Sequence, residues 1–588
     1  MRILMTLLFA AVLAACGPSR KDLSAPLAFV PADTPYVFAN LEPLPDDFIE
    51  SYETAFKPVR DLMEKFLDEV RELAEEPLSD GEPPKVLAVL DLVRDKFSVE
   101  GWERIGFTRR ARAAIYGVGS VPVVRVELAD PDRLRGFIGE LEAALGEELP
   151  TAQVDGHTYW RMELGEDDVL GDPDRRMAMV MSIQDRHLVL TLHFGGDDLA
   201  TLLGLKRPRE NLLDAGTLKQ INREFGYTPY GTMLVDVRRL VASLFGQDGR
   251  ETFVTRELSR KGQSQLTTCR DEFMGIATRM PRLVAGYTYM GGNGVESHGL
   301  IELDAALAQS FQAMVAAVPG LGRHQASPAA EFGFGLKLDK LAEFLQAQAS
   351  AISAQPYACE VLSGLNGGAR DTSQQLAGLY MAAAWFNGMR IVLEDMQWSE
   401  GKPSTASLQG GVVIASPNPL SLVGMLKGVV PQLASLELAP GGPPQVLQVE
   451  DLGPDVPPSW VAMGDTALAI GVGEGGDARA TGYLSAAAPA RPPLLYLAYR
   501  GAFYAQMTKA FSDAVGATLD GTEGDGLDDE AMDEAGKGRK RWLQRQQEGR
   551  REVYAALARL YEAIDFSAFS LVPGERGLEI VQVVRLAR

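Results

Sequence analysis

Five segments of this chain recur, in the same order, in its second half. From Pro31 it reads Pro-Ala-Asp-Thr-Pro-Tyr-Val-Phe-Ala-Asn-Leu-Glu-Pro-Leu, and from Pro328 it reads Pro-Ala-Ala-Glu-Phe-Gly-Phe-Gly-Leu-Lys-Leu-Asp-Lys-Leu. Ala129-Asp130-Pro131-Asp132 answers Ala415-Ser416-Pro417-Asn418, and Asp185 to Thr201 answers Asp465 to Thr481. Within the latter pair, Gly195-Gly196-Asp197 falls on Gly475-Gly476-Asp477. Pro229 and the strand after it answer Pro493 and its strand; Gly291, Gly294-Val295-Glu296 and Leu303 answer Gly574, Gly577-Leu578-Glu579 and Leu586. Internal similarity over so long a stretch predicts one architecture built twice. It divides the chain into a first lobe over 27–318, a linker over 319–330 and a second lobe over 331–588.

Within each lobe the pattern is α+β. Phe48, Tyr52, Phe56, Val59, Met63, Phe66, Val70 and Leu73 have three-and-four spacing, which predicts a long amphipathic helix. Asp130-Pro131 and Ser416-Pro417 read as helix starts, an acceptor side chain followed by proline at the first helical position. Asp236, Asp304 and Asp339 each follow a strand and open a Leu-spaced segment in the same role. Tyr287–Met290 with Val295–Leu303, and Ala568–Val572 with Leu578–Leu586, read as hairpins closed by glycine turns. The expected architecture is two tandem pseudo-repeat lobes with mainly antiparallel sheets, helices packed on one face of each. An insertion over 518–536 is rich in Asp, Glu and Gly and lacks the apolar content to pack, so it reads as a loop. Pro440 to Pro458 reads as a second, exposed one.

Composition narrows the possible partners. At ~150 residues per domain, 588 residues suit several domains, and 46% apolar content supplies ordinary cores. The net charge is 57 − 79 = −22, which argues against nucleic acid and against broad contact with anionic lipid.

No motif names a reaction. Gly471, Gly473 and Gly476 spell Gly-x-Gly-x-x-Gly, but the strands before it read as a hairpin rather than the parallel unit a dinucleotide site needs. The plain expectation is a glycine turn and no cofactor. His187 and His193 share one face of a strand but stand nearly 20 Å apart at ~3.3 Å per residue, too far for one metal ion. His157, His298 and His324 show no partner at ligand or relay spacing. The acidic loop from Asp520 fails the EF-hand register, because glycine falls fifth and aspartate sixth. No catalytic and no metal-binding residue is expected from these patterns.

The amino-terminal stretch says where the chain goes. Arg2 precedes an apolar run from Ile3 that ends in Leu13-Ala14-Ala15-Cys16, the layout of a secretory signal and too short to span a bilayer. The box resembles the lipobox of bacterial lipoproteins. That resemblance implies a signal peptide over 1–15, lipidation of Cys16 with acyl chains such as palmitate, and a tether over 16–26. Gly17 after the cysteine implies the outer membrane, facing the periplasm. In that oxidising compartment Cys269 and Cys359 are expected to pair, the alternative being two separate buried thiols. The Pro31–Tyr36 opening and the general layout resemble uncharacterised envelope lipoproteins with duplicated α+β bodies. The expected function is a membrane-anchored, non-enzymatic binding or scaffold protein with an envelope protein or small ligand as partner. An envelope hydrolase with a dispersed site and a carrier of an apolar ligand are the alternatives.

Overall fold

The computed structural model describes residues 24–587 except 76–84, 95, 97, 165–176, 195–197, 250–254, 256–257, 260–261, 324–327, 400–401, 405–406, 448–455 and 521–548. The Leu13–Cys16 box, Gly195–Asp197, His324 and the acidic loop from 521 onward lie outside the described residues.

In chain order the first strands are β1 (Tyr36–Ala39), β2 (Ala113–Val118), β3 (Val121–Glu127), β4 (Thr151–Val154), β5 (His157–Glu163), β6 (Ala178–Gln184) and β7 (His187–His193). There follow β8 (Thr232–Asp236), β9 (Arg282–Gly291), β10 (Gly294–Glu302), β11 (Ala330–Gly335) and β12 (Gly388–Asp395). A small hairpin, β13 (Trp398–Ser399) and β14 (Lys402–Pro403), stands apart. The rest are β15 (Gln409–Ala415), β16 (Gln445–Leu447), β17 (Ser459–Met463), β18 (Ala467–Val472), β19 (Leu495–Arg500), β20 (Ile564–Gly574) and β21 (Gly577–Leu586).

Nineteen of these form one sheet, antiparallel at every contact. Its order begins β4-β5-β6-β7-β3-β2-β1-β8-β9-β10. It continues β21-β20-β19-β11-β12-β15-β18-β17-β16. The α+β class is therefore as expected from the alternation. Two separate sheets are not what forms: β10 and β21 pair from Gly294↔Arg585 to Glu302↔Gly577 and weld everything into one.

The strand period of two sorts side chains onto two faces. On the closed face, Val37, Ala39, Tyr116, Leu234, Val284 and Leu300 pack with Leu199, Leu202, Leu212, Leu218 and Ile221 from short helices. Farther along the same face, Val392, Val413, Ala469 and Tyr496 pack with Ala480 and Tyr483 of the helix Gly476–Ser485. Helices also cover the outer strands of the opposite face, contrary to the one-sided expectation. There Trp160 and Met181 meet Leu134 and Ile138 of the helix Pro131–Leu145, and Val461 and Leu468 meet Leu422 and Val423 of the helix Pro419–Val429.

The local signals hold with two corrections. Asp130 accepts from the amides of Asp132 and Arg133, Asp236 from that of Arg239, and Asp304 from that of Leu307. In the second half the cap is Asn418 with Pro419 first, two residues later than Ser416-Pro417; Ser416 instead accepts from the Asn418 amide. Asp339 sits inside the first turn of the helix Leu338–Ala354, which Lys337 precedes. The Phe48–Leu73 pattern is the helix Asp46–Glu75. Helix Gly501–Asp520 runs into the segment expected as a loop from Thr518, and the edge strand β16 lies inside Pro440–Pro458.

Candidate functional site

On the closed face, at the β10–β21 seam, a pocket of about 750 Å³ opens between the two cores. Phe225, Leu300, Val315, Pro492 and Pro573 supply apolar wall, while His298, Arg491, Arg576, Glu224, Glu575 and Glu579 supply charge or polarity. His298 and Leu300 project from β10, and Glu579 projects from β21 directly opposite Leu300.

His298 is clamped on both sides. Its Nδ1 lies 2.8 Å from the phenolic oxygen of Tyr227, and its Nε2 lies 3.6 Å from Oε2 of Glu579. Burial, with Glu579 and Glu224 nearby, holds the Tyr227 hydroxyl well above its ordinary pKa, so it stays protonated. Glu579 is also gripped by Arg491, whose Nη2 and Nη1 donate to its two oxygens at 2.6 and 3.1 Å. Burial pulls Glu579 upward, yet the Arg491 bonds and charge, with His298, keep its carboxyl below the usual range.

A second charged group closes the pocket's other wall. Arg576 donates to Glu224 at 2.6 Å and to Glu302, and its guanidinium lies 5.1 Å above the Phe225 ring. Arg282 grips the same Glu302 at 2.6 and 2.9 Å. The hydroxyl nearest the histidine among the described residues is that of Tyr227, 2.8 Å from its Nδ1.

The opposite face is the second candidate. Between its two helix-covered flanks, Phe38 is 45% exposed, Ile115 43%, Phe332 40%, Ile391 40% and Leu497 37%. Phe38 faces Ile115 and Met233 on neighbouring strands, and Phe332 faces Ile391 and Leu497. Each trio is an apolar floor open to solvent, where sheet faces normally carry polar residues or a covering layer.

The residues singled out by sequence fall elsewhere. Cys269 and Cys359 form a disulfide, S–S 2.03 Å, inside a cluster with Val241, Phe245, Leu258, Ala277 and Leu362. Glu272 accepts from the amides of Ala358 and Cys359 at 2.8 and 3.1 Å, docking that turn on the helix Gln263–Arg279. Gly471 and Gly476 mark a helix-on-strand contact: a Cβ on Gly471 would lie 1.9 Å from the Gly476 carbonyl oxygen, and one on Gly476 2.5 Å from Trp460. The strands there, β15, β18 and β17, are antiparallel, which excludes the dinucleotide geometry. His187 is buried against Phe29, and His193 lies 3.0 Å from Arg161, so the structure does not bring the two together. Among the described residues no His/Cys/Asp/Glu group has metal-site geometry, and no helix is long and apolar enough to cross a membrane.

Sequence reading missed the seam pocket. His298 had no partner at short spacing because its partners, Tyr227 and Glu579, come from distant segments. The available signal was the match of Gly294-Val295-Glu296 with Gly577-Leu578-Glu579, had the two hairpins been considered as mutual neighbours. Comparison with family models, with curated proteins and with solved structures finds no match to this chain.

Proposed function

We propose that this protein is a lipid-anchored envelope lipoprotein, tethered through Cys16 and facing the periplasm, that binds another envelope protein through the open apolar sheet face. The observation that carries the reading is that face: Phe38, Ile115, Phe332, Ile391 and Leu497 lie exposed on central strands between covered flanks. Apolar clusters exposed on a sheet face are kept where something else comes to cover them. The Cys269–Cys359 bond supports an oxidising compartment, and the charge of −22 supports a body held clear of anionic lipid.

The test places a photo-crosslinking residue in cells at Phe332, at Ile391 and, as a control, at exposed Lys219 on a closed-face helix. One discrete protein adduct is expected from the first two positions only, and Leu497→Asp, opposite Phe332, should abolish capture from Phe332. Adducts of equal yield from all three, or adducts with lipid alone, would overturn partner docking and favour the apolar carrier. For the tether, Cys16→Ser should release the protein from membranes and remove incorporation of labelled palmitate; unchanged sedimentation and labelling would refute it.

We propose as well that the two halves are a tandem duplication. Followed outward from the seam, β10-β9-β8-β1-β2-β3-β7-β6-β5 and β21-β20-β19-β11-β12-β15-β18-β17-β16 take the same path, with β4 left over. Matching Gly294 to Gly577 makes His298 and Val581 equivalent, and they are also directly paired, so a pseudo-dyad would pass between them. An experimental structure whose nine strand pairs fail to superpose under one rotation would overturn this.

A further inference from the structure

We propose that the seam pocket binds a carboxylate carried on an apolar body, with Arg491 as the fork that receives it and Glu579 as the internal carboxylate it displaces onto His298. This goes beyond the docking proposal, because the pocket lies on the other face of the sheet.

The geometry picks out Arg491 among the pocket's cations. Arg576 is held between Glu224 and Glu302, the latter also gripped by Arg282, and is stacked on Phe225. Among the described residues Arg491 pairs with Glu579 alone, and its side chain is 56% exposed while that of Glu579 is 24% exposed. A guanidinium fork thus faces solvent with its carboxylate beneath it. Carboxylates bind such a fork through two parallel hydrogen bonds, and an incoming one competes for the same two donors. Phe225, Leu300, Pro492 and Pro573 around the fork would take the apolar body.

Glu579 has somewhere to go. The separation of 3.6 Å between its Oε2 and His298 Nε2 is too long for a hydrogen bond, but a small side-chain rotation closes it. Tyr227 already fixes the other ring nitrogen, so the ring would stay in place while Glu579 turned toward it. The charged and titratable groups around His298 are Glu575, Glu579, Arg491 and Arg576 from the second-half loops and β21, and Glu224 and Tyr227 from the first half. Once the ligand occupies the Arg491 fork, Glu579 is left to the imidazole.

Isothermal titration calorimetry on the full chain tests this, using 3-phenylpropionate and its neutral analogue 3-phenylpropanamide. The acid should bind at least tenfold tighter than the amide. Arg491→Gln should lose the acid's advantage, and His298→Leu, which removes the nitrogen Glu579 turns toward, should weaken the acid and leave the amide unchanged. A parallel titration with the tripeptide Ala-Ala-Phe and its carboxyl-terminal amide separates the two sources: tighter binding of the tripeptide acid indicates a peptide terminus, tighter binding of phenylpropionate a free acid. Equal affinity for acid and amide, or no heat with either at millimolar concentration, would each overturn the proposal. The acid and amide comparison uses the unsubstituted chain, so its outcome does not depend on whether a variant folds.

Discussion

Glu331 on β11 and Arg390 on β12 form an ion pair almost sealed from water: Oε1 lies 2.9 Å from Nε, and the side chains are 2% and 11% exposed. The two are diagonal neighbours, since Glu331 pairs with Val392 and Arg390 with Gly333. Removing either partner strands the other charge in a core, which costs about 3–5 kcal/mol, whereas replacing both with apolar residues of similar volume is close to neutral. Glu331→Ala and Arg390→Ala should each lower the urea midpoint sharply, and the double change Glu331→Leu with Arg390→Met should recover most of the loss.

The disulfide should dominate the stability of the helical cluster around it. It closes a loop between residues 90 apart in sequence. In the chain-entropy model a loop of that size is worth about 4–5 kcal/mol. Adding reductant, or making Cys269→Ala with Cys359→Ala, should lower the melting temperature by similar amounts. Hydrogen exchange should speed up first in Gln263–Arg279 and around Leu362.

Buried His187 makes stability depend on pH. Burial first, then the charge of Arg125, lowers its pKa to about 4, against the opposing influence of Glu127 and Asp185. Its folded value thus lies below the ~6.5 of an unfolded chain. The contribution is complete above about pH 6.5 and is lost as pH falls toward 4, by up to about 3 kcal/mol, because only the unfolded chain binds the proton. His187→Phe, which retains an aromatic ring beside Phe29, should flatten the fall in urea midpoint between pH 7 and pH 4. An unchanged slope would assign the acid sensitivity to other groups.

Two glycines near one helix should respond in opposite ways. Gly471→Ala drives a methyl into the Gly476 carbonyl and should cost about 1–3 kcal/mol through overpacking. Gly482, exposed in the helix Gly476–Ser485, has no neighbour within 4 Å of where a methyl would sit, so Gly482→Ala should stabilise by about 1 kcal/mol. Thermal denaturation of the two variants checks both signs.

Local chemistry in this chain was readable, and long-range register was not. The caps at Asp130, Asp236 and Asp304 and the hairpins at Gly291–Gly294 and Gly574–Gly577 follow from side-chain acceptors and turn glycines within a few residues. Asn418 displaced Ser416 because both can cap and both precede a proline. The merging of two expected sheets was hidden because β10 reads the same whether its outer edge meets water or β21. The open face was hidden for a related reason. Phe38 and Ile115 obey the alternation of a strand buried on both sides, and sequence does not record that one of those sides stays partly exposed among the described residues.

The weld at β10 has a consequence for biogenesis. Its partner β21 follows every other described strand, so a nascent polypeptide that has already laid down β1 to β10 presents a raw, unsatisfied ribbon of amides and carbonyls until β21 has been made. Such a half-made product is prone to self-association, and holding it extended by a chaperone until release would be the safe route.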